Sequence, residues 1–127
     1  MRFTLYYNIL LAVVFALLPF AVGAQEQLVF DHTTWNFGEI AEQNGKVEHT
    51  FTFENRSSRP IVIVDVVSGC GCTTPSYSRK PILVGQRGEI KVAFDPMNRP
   101  GKFSKGVSVM TSISTKPVTL MLEGNVS

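Results

Sequence analysis

The chain is poor in the residues from which enzyme active sites are usually built. Its 127 residues include two histidines, two cysteines and one tryptophan. No G-x-S-x-G, H-E-x-x-H, phosphate-binding loop or G-x-G-x-x-G occurs, so the common hydrolase, metalloprotease and nucleotide-binding signatures are missing. His32 follows Asp31 directly, but neighbours on a strand point to opposite faces and cannot form a base–orienter pair. His49 lies on the apolar face of a strand pattern, where a satisfied core or edge histidine is the ordinary reading. Clustered positive charge is also lacking. Lys and Arg number 12 against 10 acidic residues, and no basic run exceeds Arg79-Lys80, so no surface for neutralising nucleic-acid phosphates is expected. Nor does any segment carry a convincing 3.6-residue apolar period.

What is present begins with MRFTLYYNILLAVVFALLPFAVGA, residues 1–24. Arg2 precedes an apolar run from Ile9 to Val22 that closes on Val22, Gly23 and Ala24, the layout of a secretory signal peptide. A spanning helix needs about 20 apolar residues, and this run is shorter and interrupted by Pro19. Cleavage before Gln25 is expected. It leaves residues 25–127 as one domain with no transmembrane segment, exported to the periplasm or beyond, where thiols meet oxidant.

Beyond the leader the period is two. In KVEHTFTFEN, Val47, His49, Phe51 and Phe53 alternate with polar residues, which predicts a half-buried strand. GEIKVAFDP repeats the pattern with Ile90, Val92 and Phe94. Residues 101–111 place Phe103, Val107, Val109 and Thr111 on one face, and KPVTLMLEG does so with Val118, Leu120 and Leu122. Short strands are expected at LVFD (28–31) and around Trp35 to Phe37, whose rings read as core or rim packing. The β-branched run IVIVDVVS (61–68) reads as a central strand covered on both sides, or as one whose outer face is partly shielded. Within it Asp65 either bonds to a loop or marks the exposed face. Pro60, Pro81 and Pro117 are expected to open strands, Pro75, Pro96 and Pro100 to lie in connections, and Gly106 to mark a bulge. Asn55-Arg56-Ser57 fits a glycosylation acceptor but reads first as turn chemistry. About seven short antiparallel strands in about 100 residues predict an all-β, immunoglobulin-like sandwich, with a small barrel as the alternative.

The remaining feature is SGCGCTTP, residues 68–75, which holds both cysteines. Gly69, Cys70, Gly71, Cys72, Thr73, Thr74 and Pro75 form the candidate site loop. A thioredoxin-like centre wants C-x-x-C at a helix start, and here the spacer is one residue after a strand. Zinc needs four ligands, and Cys70 and Cys72 with His32 or His49 fall short within one chain. Copper(I) accepts two thiolates, so Cys70 and Cys72 stay open as an alternative copper or redox pair. A disulfide requires a bend, because extended residues i and i+2 lie about 7 Å apart and bridged Cα atoms sit at roughly 4.4–6.8 Å. A glycine at 71 permits that bend, and the loop entropy gained is only about 1.5 kcal/mol.

The order F-D…N-F-G-E-I, K-V-E-H-T-F-T-F-E-N, I-V-I-V-D-V…G-C-G-C-T-T-P and G-x-x-G-E-I-K-V-A-F-D-P…P-G-K resembles the bacterial domain of unknown function 1573 family. The resemblance runs from about Val29 to Val126, with Cys70-Gly71-Cys72-Thr73 as its most specific marker. It implies export and an immunoglobulin-like sandwich, common in bacteria of the Bacteroides type and distantly similar to sperm-protein-like modules of ciliary proteins. It implies no established activity. Where the family commonly has Ser before the first cysteine and Asp before Phe-Gly, this chain has Gly69 and Asn36. The expected function is a non-enzymatic binding or envelope-scaffolding module without cofactor, using a sheet edge or the loop from Ser68 to Tyr77. Its protein or cell-envelope partner is unspecified, and thiol-redox or copper chemistry is the alternative. Protein recovered from the exported fraction is expected to begin at Gln25. Intact mass checks this, and a mass that retains residues 1–24 would refute the leader.

Overall fold

The computed structural model describes residues 27–127; the expected leader, residues 1–24, lies outside them. Eight strands follow one another: β1 (Leu28–Phe30), β2 (Thr34–Ile40), β3 (Val47–Asn55), β4 (Ile63–Ser68), β5 (Thr73–Tyr77), β6 (Arg87–Phe94), β7 (Gly101–Thr111) and β8 (Ser114–Val126). They form two four-stranded sheets, β1-β3-β6-β5 and β2-β8-β7-β4, packed as an immunoglobulin-like sandwich. The alternating residues do what period two requires. Phe51, Ile90, Val92 and Phe94 of the first sheet and Val107, Val109, Leu120 and Leu122 of the second are fully buried. Their rows meet between the sheets, where the Phe94 and Phe103 rings stack at 4.1 Å.

Several expectations need correction. The described residues hold eight strands, close to the expected seven, but one pairing is parallel: β2 runs alongside β8. Asp31–Thr33 carries the chain from the edge of one sheet to the edge of the other, and a period-two pattern reports buried faces, not the direction of the neighbour. The 61–68 segment is an edge strand, paired only with β7. A register shift between Ile63 and Asp65 sets Val64 and Asp65 against Met110, leaving Val64 and Val67 exposed. Pro75 lies inside β5, opposite Val92. That strand is also an edge, so the missing N–H costs no ladder bond. Pro117 lies within β8 rather than opening it, at the register irregularity opposite β7. Gly106 pairs in register with Met121 and makes no bulge.

All four sheet edges are blunted against further pairing, as edges of soluble sheets generally are. β1 has three residues, and β2 slips register between Asn36 and Glu39. Val64 O on β4 accepts from Arg79 Nη1 at 3.2 Å, while β5 carries its proline.

Asn55 ties the loops at one end. Fully buried, it donates through Nδ2 to Arg59 O (3.0 Å) and Ile82 O (2.8 Å) and accepts at Oδ1 from Ser57 N and Oγ. The Asn-Arg-Ser triplet is thus turn chemistry, with the asparagine amide engaged inside the protein.

Two glycines separate tight packing from slack. A Cβ on Gly88 would lie 2.6 Å from the buried Phe53 ring, whereas one on Gly106 would meet the flexible Met121 Sδ at 3.4 Å. Gly88→Ala is expected to cost about 1–3 kcal/mol through overpacking. Gly106→Ala is expected to stay within about 0.5–1 kcal/mol of wild type. Urea midpoints at constant slope check both, and equal effects would refute the distinction.

Candidate functional site

The loop Gly69–Cys72 joins β4 of the second sheet to β5 of the first, so it bridges the sandwich at its side. Cys70 and Cys72 are bonded to one another, with Cα atoms 5.1 Å apart. The bend arises from hydrogen bonds converging on Cys70 O, which accepts from Thr73 N (3.3 Å), Thr73 Oγ1 (3.2 Å) and Ser68 Oγ (3.2 Å). Gly71 takes no left-handed φ, so the bend does not draw on that part of the freedom glycine permits. Asp95 N donates to Cys72 O at 2.8 Å and fixes the loop to the end of β6.

The two sulfur-bearing residues are not equivalent. Cys72 is only 3% exposed and belongs to the core, while Cys70 is partly exposed and packs against that core. Cys72 N donates to Cys70 Sγ at 3.2 Å. Thr73 is buried, Thr74 exposed and Pro75 half-buried on the strand that follows. A Cβ built on Gly69 or Gly71 meets nothing within 4 Å.

A second group was not legible as a unit. His32, in the crossing segment, and His49, on β3, meet through their Nε2 atoms at 2.7 Å. Trp35 stacks on His49 with centroids 4.1 Å apart and planes 4° from parallel. Trp35 is therefore an exposed lid on a histidine rather than a core residue, while Phe37 does pack against the core. The sequence places these rings on three segments, and only the sheet-to-sheet crossing brings them together. Asp31 turns away from the pair: its carboxylate accepts from Thr52 Oγ1 and, at 2.7 Å, from Arg87 Nη2. Asp65 approaches the Tyr77 hydroxyl at 3.5 Å. Among the described residues no three His, Cys, Asp or Glu side chains are grouped to hold a metal ion.

A groove of about 540 Å³ lies where β2 slips against β8 and is lined by Asn36, Glu39, Lys102, Phe103, Glu123 and Asn125, among others. Asn36 Oδ1 accepts from Gly38 N at 2.7 Å and shapes the slip, a role that needs an acceptor oxygen rather than a charge. Asn125 Nδ2 donates to both Glu39 carboxylate oxygens.

Burial holds the His49 pKa below the ordinary 6.5, and the nearby His32 charge lowers it further. A depressed folded pKa means the unfolded chain binds the proton more tightly. The contribution is therefore complete above about 6.5 and lost as pH falls through the folded value. The Asp31 pKa is lowered from 3.8 by the Thr52 and Arg87 hydrogen bonds, so it acts in a separate, more acidic window. Melting temperature is expected to fall between pH 7 and pH 5, and His49→Gln to flatten that fall. An unchanged slope in the variant would refute the assignment.

No curated protein matches the chain in sequence. Among solved structures, a protein of unknown function from Porphyromonas gingivalis W83 is similar at 14% identity and TM-score 0.64, over 80% of this chain and 48% of that one. The Vibrio cholerae protease VesB is similar at 17% identity and TM-score 0.61, over 79% of this chain and 32% of that one. The ASH/PapD-like domain 7 of human CEP192 is similar at 9% identity and TM-score 0.61, over 80% and 85% of the two chains. The chain thus spans about half or less of the first two proteins, and these likenesses concern fold alone. At the level of sequence, the family described as "Protein of unknown function (DUF1573)" matches residues 28–126. With its Cys-Gly-Cys loop set into an eight-stranded sandwich, the chain belongs to that family.

Proposed function

We propose that the protein is an exported, non-enzymatic module that docks a protein partner of the cell envelope through the outer face of β4 and β7 and the adjoining Cys-Gly-Cys loop. One observation carries this reading: Val64, Val67 and Met110 are 45%, 43% and 38% exposed on neighbouring strands. Side chains of this kind grouped on an outer sheet face favour burial against another surface, and methionine adapts readily to a partner's shape. The blunted edges argue against recognition by strand addition, which needs free backbone groups. The histidines bond to each other rather than to a nucleophile, which supports the non-enzymatic reading. Copper(I) takes two free thiolates, so the joined sulfurs of the oxidised loop favour docking over copper binding.

A photo-crosslinking residue at Val67, in cells, is expected to yield a discrete protein adduct, while the same residue at Lys91 on the opposite sheet yields none. Val64→Glu or Met110→Glu is expected to reduce that adduct at least about tenfold, because the docked face would bury an unpaired charge. Equal labelling at both positions would refute the docking face.

A further inference from the structure

The geometry points to Cys70 as the exchange-active sulfur of a thiol–disulfide site whose partner is a protein segment carrying a pair of cysteine thiols. This adds a stoichiometric thiol exchange to the non-enzymatic docking reading and rests on that reading for the delivery of the partner. Two independent features lead here.

The first is the asymmetry of the pair. A thiolate must approach a disulfide sulfur in line, so access decides which sulfur is attacked. As whole residues, Cys72 is 3% exposed within the core, whereas Cys70 is partly buried against it, which leaves Cys70 on the side open to approach. Cys70 Sγ also accepts from Cys72 N at 3.2 Å. A hydrogen bond from a backbone N–H favours negative charge on the sulfur that receives it. In the reduced chain Cys70 is thus the nucleophile and Cys72 the resolving thiol.

The second feature is the two glycines. Neither Gly69 nor Gly71 has a left-handed φ, and a Cβ on either meets nothing within 4 Å. Neither a left-handed φ nor crowding inside this chain calls for glycine at these positions. What the pair does provide is bare backbone on both sides of Cys70, and glycine at such a spot leaves room for another backbone to approach closely. A partner segment can therefore lie against the loop with its cysteine over Cys70 Sγ.

In the oxidised protein, a partner thiolate attacks Cys70 Sγ. The new S–S bond forms as the Cys70–Cys72 bond breaks, and Cys72 leaves with the electron pair and takes a proton from water. The partner's second thiolate then attacks the partner sulfur of the mixed disulfide and releases the Cys70 thiolate. The partner is oxidised by two electrons to a disulfide, and this chain is reduced by two electrons to the dithiol. The reverse sequence carries electrons from the reduced loop to a partner disulfide.

The test uses the folded mature protein and peptides with two cysteines, in their dithiol and disulfide forms. The dithiol peptide is expected to reduce the loop without denaturant. With the disulfide peptide, Cys72→Ser is expected to form a lasting adduct at least about tenfold faster than Cys70→Ser, read by intact mass. Gly69→Val and Gly71→Val are expected to slow exchange with the peptides by at least about tenfold while leaving reduction by dithiothreitol unchanged. The dithiothreitol control separates a blocked approach from a misfolded loop. Reduction only after denaturation, equal reactivity of the two cysteines, or no effect of the valines on peptide exchange would each overturn the proposal. None of these readouts involves Val64, Val67 or Met110, so failure here is distinguishable from failure of the docking face.

Discussion

The structure depends on the closure of two inner sheet faces, at whose edge the Phe94 ring lies on Phe103 at 4.1 Å. Stacked aromatic pairs bury large apolar areas and impose a specific geometry, and that geometry constrains its neighbours. A Cβ on Gly124 would lie 2.8 Å from the Phe103 ring, so the strand beneath must be bare there. Phe94 pairs with Thr73 across β5 and β6, and Asp95, the next residue, holds the Cys72 carbonyl. The candidate loop is therefore fixed to the same ring that closes the core. Its inner cysteine, 3% exposed, belongs to the same buried cluster as Phe94.

The opposite end is organised by polar groups. Asn55 is fully buried and engages two carbonyls, a backbone N–H and a hydroxyl. An amide with all its partners in place specifies one loop arrangement, because any other leaves buried groups unpaired. One end of the sandwich is thus held by apolar stacking and the other by a hydrogen-bonded hub. Between them runs the side on which the chain passes from β1 to β2.

The fold was legible in the sequence wherever burial was one-sided. In β3, β6, β7 and β8 alternation named the inward residues, and Phe51, Ile90, Val107 and Leu120 are all fully buried. It failed where position in the sheet mattered more than pattern. The run at 61–68 looks two-sided because its outward residues are also β-branched, yet β4 is an edge on which Val66 is buried while Val64 and Val67 face outward. Pro75 misled for the complementary reason: an edge strand tolerates what a central one cannot. The cysteine loop was visible as a motif, but the inequality of its cysteines follows from how the loop sits on the core, with Cys72 inside it and Cys70 against it, and could not be read from a symmetric C-G-C. The meeting of His32, Trp35 and His49 depends on a crossing that no local period encodes.

The parallel pairing of β2 with β8 has a mechanical consequence. The first strand of the second sheet and the last strand of the chain lie side by side and point the same way, from Thr34 beside Met121 to Ile40 beside Val126. Tension that draws the start of β2 away from the end of β8 acts along the strands and across the rungs between them. Such a load is shared by the whole ladder at once instead of opening it rung by rung. Pulling along this strand pair therefore meets more resistance than peeling it open from one end.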